Sequence, residues 1–262
     1  MNLSKRDFEN DTRAPWLAIA IGNSRILWGQ WLDTKLVRWG RVEIAPNAEF
    51  ERQVRQVGDR TWLASVSCQE KALDLWPALR RSRQLSLVDV PLAGGYDTFG
   101  LDRALALVGA ASQVGWPVLV VDGGTALTFT GADPTGWLVG GAIVPGLALQ
   151  ARALHSSTAA LPEVNLAPDT SLERWAKTTE LAIESGVMLG AIATVRSFCD
   201  DWRTRYPDSA IAFTGGDGEY LHRLAAIPHS IYNPALVLHG IAACRSLLLS
   251  SNSPPIARQS GD

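Results

Sequence analysis

The feature of this sequence that most constrains its fold is a strand, glycine turn and strand that occurs twice, about one hundred residues apart. In the first copy an apolar run at 16–20 reaches a turn at Gly22 and Asn23, and an extended pattern resumes at 26–31. In the second, an apolar run at 118–121 meets Asp122, Gly123, Gly124 and Thr125 before the pattern resumes at 126–130. Short apolar runs separated by glycine read as buried strands joined by tight turns. A chain that does this twice in register is expected to be two copies of one folding unit. Glycine in such a turn lets backbone N–H groups approach a phosphate with no side chain in the way, and a neighbouring hydroxyl adds a donor. Gly22-Asn23-Ser24 and Gly123-Gly124-Thr125 both have this make-up. One such turn alone is as well explained by the geometry of a hairpin.

The segments between the turns extend the same plan. Candidate strands at 61–66 and 84–88 flank a helical pattern at 70–83, and a helix is expected at 101–114 with Thr98 as its N-cap. In the second half a strand at 140–144 leads through Pro145 and Gly146 into a helix carrying Leu147, Leu149 and Leu154. A long helix is expected from Leu172 to about Arg205, with Gly186 and Gly190 on one face where another backbone could approach. A strand at 211–213 ends in Thr214-Gly215-Gly216 before a helix beginning near Glu219. Strands and helices alternating in both halves predict an α/β class. The expected division is a tail at 1–15, a first lobe at 16–114, a second at 115–249 and a tail at 250–262.

Composition narrows the function classes. A net charge of −2 gives no electrostatic reason to expect nucleic acid or an anionic membrane as partner, so a small soluble molecule is the expected one. The three cysteines, Cys68, Cys199 and Cys244, are far apart and suggest neither a disulfide framework nor a zinc site, which fits a reduced, cytoplasmic chain. The apolar runs named above fall well short of the roughly 20 residues that span a bilayer, and the first residues lack the apolar stretch of a secretory signal. The four histidines show no metal-ligand spacing.

Seven stretches, in this order, resemble the type III pantothenate kinases. They are Ile21-Gly22-Asn23-Ser24; Tyr96 through Gly100 to Arg103; Asp122 to Ala126 with Thr128; Gly140 to Gly146; Leu161-Pro162; Thr179 to Gly186; and Thr214-Gly215-Gly216. The resemblance runs from about residue 17 to 247. It implies a duplicated actin-like (ribonuclease H-like) kinase fold, two lobes each with a mixed sheet flanked by helices. It also implies transfer of the ATP γ-phosphate to the hydroxyl of pantothenate, the first step towards coenzyme A. By this likeness Asp102 is the base, while Tyr96, Gly100, Leu101, Arg103 and Thr179 bind pantothenate. Ile21, Gly22, Asn23, Ser24, Arg25, Thr125, Gly215 and Gly216 would contact ATP. Asp122 would ligate a monovalent cation, K+ or NH4+, with Mg2+ bridging the phosphates, and the protein would be a homodimer.

The residue chemistry is compatible with these roles. Phosphoryl transfer passes through a loose transition state, so a carboxylate of ordinary basicity suffices to collect a late proton. Arginine offers a planar fork that matches the carboxylate of pantothenate. Asp102 also fits a second reading from its position alone, because a carboxylate in the first turn of a helix is favoured by about 0.3–1 kcal/mol without catalysis. One position departs from the family pattern: the first turn normally carries aspartate two places before its glycine, and here that residue is Ala20. The departure leaves open a catalytically impaired binding or regulatory relative, and the generic features alone leave open a kinase for another small hydroxyl substrate.

Overall fold

The computed structural model describes residues 14–23, 25–65, 69–166 and 172–250. Ser24, Cys68 and most of the two expected tails lie outside them. The chain divides into two compact units, the first made of residues up to Gln113 together with those from Ala235 onward, the second of Val114–Pro234. The first division lies between Gln113 and Val114. The last helix differs: expected in the second lobe, it folds with the first unit, because its apolar face covers the first sheet.

In the first unit, β1 (Trp16–Ile21) and β2 (Arg25–Leu32) form a hairpin in which Trp16 pairs with Trp31 and Ile21 with Ile26. β3 (Lys35–Glu43) extends the meander, and β4 (Thr61–Ser65) and β5 (Arg83–Leu85) add parallel strands on the other side of β1. The resulting order is β3-β2-β1-β4-β5. β1 is central and covered on both faces, which is why it reads as an unbroken apolar run rather than as an alternation.

One face of this sheet, with Leu17, Ile19, Ile21, Ile26, Trp28 and Leu63, packs on Phe50 and Val54 of α1 (Ala48–Val57) and on Trp76 and Leu79. α1 begins where Asn47 accepts a hydrogen bond from the Phe50 N–H at 2.9 Å. The expected helix at 70–83 is shorter. It comprises α2 (Gln69–Leu75) and a 3-10 turn at Pro77–Arg81, because Pro77 has no N–H with which to continue α2. The expected strand at 84–88 stops at Leu85, where Ser86 and Asp89 form a capping box around a 3-10 turn.

The other face is covered by α7 (Leu236–Ser250). Trp16 and Trp31 stack with centroids 5.3 Å apart, His239 of α7 meets Trp31 edge-on at 5.2 Å, and the Arg245 guanidinium lies 4.6 Å over Trp16. α7 crosses α3 (Leu101–Val114) through glycine: a Cβ on Gly109 would stand 1.9 Å from the Leu236 carbonyl oxygen, and one on Gly240 2.0 Å from that of Leu105. The two backbones touch only because neither residue has a side chain.

The second unit repeats the topology. β6 (Val118–Gly123) and β7 (Ala126–Ala132) form the hairpin, β8 (Leu138–Pro145) continues the meander, and β9 (Ala210–Thr214) and β10 (Ser230–Tyr232) add parallel strands beyond β6. The order β10-β9-β6-β7-β8 is that of the first sheet, strand for strand, so the repeat seen in two turns extends to a whole mixed sheet. This is the duplicated actin-like, ribonuclease H-like α/β fold.

α4 (Leu147–Ser156), α5 (Thr179–Arg205) and α6 (Gly218–Ala225) complete the unit. α5 starts seven residues later than the sequence pattern suggests, where Thr178 accepts from the Leu181 N–H at 3.3 Å. By length and composition α5 could cross a membrane, but its apolar stripe is already used: Ile183, Val187, Ala191, Val195, Cys199 and Trp202 lie in the core against Val121, Phe129 and Phe213. The Trp202 ring occupies the space over Gly131, where a Cβ would come within 2.4 Å, and its indole N–H donates to the Ser209 hydroxyl at 2.6 Å. Gly186 and Gly190, expected to admit another backbone, have nothing within 4 Å of an added Cβ.

Candidate active site

The acceptor segment runs into α3. Gly100, not Thr98, caps this helix, because its carbonyl accepts the Ala104 N–H at 3.0 Å as the first helical hydrogen bond. Asp102 folds its carboxylate over the helix start and accepts the Arg103 N–H at 2.8 Å. The carboxylate is so close to Gly100 that a Cβ there would stand 2.7 Å from its Oδ1.

Arg103, only 8% exposed, has its guanidinium carbon 4.9 Å from the Phe99 ring centroid and donates to the Tyr96 hydroxyl at 3.4 Å. Tyr96 and Phe99 are 5.3 Å apart and Tyr96 is 47% exposed. The Phe99 ring and the Tyr96 hydroxyl thus hold a buried cation whose neighbour is a half-exposed carboxylate. That arrangement provides an anion anchor and a proton acceptor one residue apart. Leu101, half-buried, opens the same helix. Tyr96, Gly100, Leu101, Asp102 and Arg103 are therefore together; Thr179 belongs to the other unit, at the first turn of α5.

The first glycine turn is closed by the Gly22 N–H, which donates to the Arg25 carbonyl at 3.0 Å. Gly22 is half-buried, and Asn23 and Arg25 are exposed. The second turn is closed by the Gly124 N–H donating to the Ala126 carbonyl, also at 3.0 Å. Here the surroundings are more crowded. A Cβ on Gly146 would stand 2.1 Å from the Gly124 carbonyl oxygen, and one on Gly215 would stand 2.3 Å from Asp122 Oδ1 and 2.4 Å from the Gly123 carbonyl oxygen. Gly215 has φ +91, a conformation that favours glycine. The Asp217 N–H donates to the Gly123 carbonyl at 2.8 Å, tying the β9–α6 connection to the β6–β7 turn.

Asp122, Thr125, Gly215 and Gly216 are thus brought together at the carboxyl ends of the parallel strands β6 and β9, the end of such sheets where ligands bind. Gly146 and Asp217 join them without having been singled out as site residues. Their signal was indirect: Gly146 ends a stretch that carried the resemblance without an assigned role, and Asp217 directly follows Gly216. The Asp122 carboxylate is a hard oxygen donor that suits Mg2+ or K+. Among the described residues no group of three or more His, Cys, Asp and Glu side chains could hold a metal. A cation bound to nucleotide would supply charge neutralisation at the phosphates.

Comparison with known proteins follows the same lines. The family model for type III pantothenate kinase matches residues 16–201. A type III pantothenate kinase of Synechococcus sp. (strain JA-2-3B'a(2-13)) is 44% identical over 245 residues, covering 92% of this chain and 93% of its own. That of Gloeobacter violaceus is 42% identical over 226 residues, with 86% and 96% covered. Among solved structures, a Campylobacter jejuni chain described as a conserved Baf family transcriptional activator superposes with a TM-score of 0.61 at 20% identity, covering 88% of this chain and 97% of its own, a likeness of fold.

Proposed function

Because the chain belongs to the type III pantothenate kinase family, we propose that Asp102 and Arg103 are the centre of its chemistry: transfer of the ATP γ-phosphate to the hydroxyl of pantothenate, the first step of coenzyme A biosynthesis. The observation that carries the residue assignment is the pairing of a half-exposed carboxylate with a buried guanidinium held against the Phe99 ring at the start of α3. Arg103 takes the pantothenate carboxylate, and Tyr96, whose hydroxyl accepts from Arg103, orients it. Gly100 keeps the approach to Asp102 open and Leu101 lines it. Asp102 accepts the hydroxyl proton as the oxygen attacks phosphorus.

Gly22, Asn23, Ser24 and Arg25, next to Ile21, receive phosphates at the first turn, and Thr125 does so at the second. Gly215 and Gly216 leave room for the nucleoside. Asp122 holds a monovalent cation, K+ or NH4+, and Mg2+ accompanies the phosphates, where it neutralises charge. The protein works in the cytoplasm as a homodimer in which Thr179 reaches pantothenate. Two features of the second unit support association. Trp137, Ile143 and Trp175 are 53%, 62% and 85% exposed, and the open Gly186 and Gly190 face of α5 could admit a second copy.

The test is turnover of purified protein with ATP, Mg2+, K+ and pantothenate, with glucose and N-acetylmannosamine as alternative acceptors. Phosphorylation of pantothenate alone is expected. A folded protein that phosphorylates a sugar and leaves pantothenate untouched would refute the acceptor. One observation, Ala20, favours a second reading, that of a relative which binds both substrates without transfer. Binding by calorimetry with no product would establish it.

A further inference from the structure

α1 lies over a face of the first sheet that is apolar along most of its length and polar at one end. Along β2 this face carries Ile26, Trp28 and Gln30, and along β3 their register partners Val42, Gly40 and Arg38. Leu17, Gln30 and Arg38 therefore form a row across β1, β2 and β3. The helix has a matching polar edge. Phe50 and Val54 enter the core, whereas Glu49, Arg52, Gln53 and Gln56, spaced i, i+3, i+4 and i+7, make an adjoining stripe. Row and stripe do not close on each other. They bound a cavity of about 270 Å³ whose apolar lining is Leu17 and Val57, near the lower end of the roughly 300–1,000 Å³ typical of small-molecule sites.

The polar groups around this cavity are unequally matched. Glu49 pairs with Arg52 and accepts from the Gln53 amide at 3.2 Å, so these three satisfy one another. The side chains of Arg38, Gln30 and Gln56 make no hydrogen bond or ion pair among the described residues. The Arg38 guanidinium instead lies 5.3 Å from the Trp28 ring centroid, a contact that leaves its N–H fork unused. Trp28 occupies the space opposite Gly40, where a Cβ would stand 3.0 Å from the ring. With Arg52 and Glu49 cancelling, the cavity carries one uncompensated positive charge on a planar fork, beside two unpaired amides. A carboxylate supplies one negative charge and two oxygens for that fork. A phosphate dianion would leave a charge unbalanced beside Glu49.

We propose that the cleft between α1 and the β2–β3 edge is a second small-molecule site, and that it takes a hydroxylated monocarboxylate. None of the residues from Tyr96 to Arg103 lines it. Arg38 holds the ligand's carboxylate, the Gln30 and Gln56 amides bond its hydroxyl groups, and Leu17 and Val57 meet its carbon chain.

D-Gluconate is the probe that tests this, titrated into the full chain and followed in proton–nitrogen correlation spectra. The side-chain amide signals of Gln30 and Gln56, assigned by their loss in Gln30→Leu and Gln56→Leu, are expected to shift and saturate. Arg38→Gln should weaken gluconate binding by at least about tenfold, and inorganic phosphate should bind at least about tenfold more weakly than gluconate. Arg83→Gln, which removes a guanidinium that lies 4.5 Å over Trp62 elsewhere in the same sheet, should leave gluconate binding unchanged. Should Arg38→Gln fail to fold by circular dichroism, Gln56→Leu on the exposed side of α1 takes its place, with weakening of about threefold or more. No saturable shift in the natural protein, shifts that leave Gln30 and Gln56 unmoved, or a folded Arg38→Gln protein that binds as tightly as the natural chain would overturn the inference. Phosphate that binds as tightly as gluconate would overturn the carboxylate class. The readout is binding, so each of these results is separate from the turnover assay above.

Discussion

Arg103 and Gly215 show how single residues set what this molecule can do. The Arg103 guanidinium is buried, lies against the Phe99 ring and donates to the Tyr96 hydroxyl, contacts made before any ligand arrives. Lysine would keep the charge but lose the fork. Arg103→Lys is therefore expected to raise the KM for pantothenate by roughly tenfold and change kcat much less, in steady-state kinetics. An equal fall in kcat with no change in KM would place Arg103 outside the acceptor site. Gly215 combines φ +91 with a Cβ position 2.3 Å from Asp122 Oδ1. Gly215→Ala must push Asp122 or the Gly123 carbonyl aside, and nucleotide affinity by calorimetry should drop by at least tenfold. Cys199 and Cys244 illustrate the opposite case, since burial pushes both thiols up to about 12. Both should resist alkylation at pH 8 in the native protein, as read by peptide mass spectrometry.

Among the elements, α7 deserves its place in the first unit through two contacts, one tight and one titratable. Gly109→Ala would drive a methyl group into the Leu236 carbonyl, which should cost about 1–3 kcal/mol or more and show as a lower Tm. His239 is held below its ordinary pKa by burial against Trp31. The unfolded chain then binds a proton more readily than the folded one, so His239 lowers stability as pH falls below about 6.5. His239→Gln should flatten the loss of Tm between pH 7.5 and 5.5, and an unchanged slope would assign the acid sensitivity elsewhere.

These elements also show what the sequence could and could not reveal. β1 and β6 were legible because central strands are apolar throughout, and the turns because glycine marks them. β3 was not, because it is an edge strand whose side chains are mostly exposed and whose Lys35, Arg38, Arg41 and Glu43 hide any alternation. The start of α5 was misplaced because Leu172 and Trp175 extend its apolar pattern beyond the Thr178 cap. The return of α7 to the first unit depends on Gly109 meeting Gly240, residues more than a hundred positions apart that no local pattern connects. In the candidate site, Asp102 and Arg103 were singled out through family resemblance, and the fold sets them side by side at the start of α3. Gly146 and Asp217 became visible only when the strand ends came together.

At the scale of the whole molecule, duplication gives two sheets of one topology whose turns differ in charge, with Ala20 in the first where Asp122 stands in the second. Assembly is the other property at this scale. Light scattering after size exclusion is expected to give about twice the 28.3 kDa of one chain. Gly186→Leu, placed where nothing in the chain lies within 4 Å, should reduce that mass to one chain without lowering helix content. A dimer unaffected by this change would move the contact to another surface.

Asp102 is the proposed base for transfer to pantothenate. Its most direct test is formation of phosphopantothenate, followed by phosphorus NMR, in the natural protein and in Asp102→Asn under saturating ATP, Mg2+ and K+. The substitution should cost about 1 kcal/mol of stability or less at the helix start and lower turnover by about a hundredfold or more. Product from the natural protein with almost none from the folded variant is the predicted result. Equal rates from the two would contradict it.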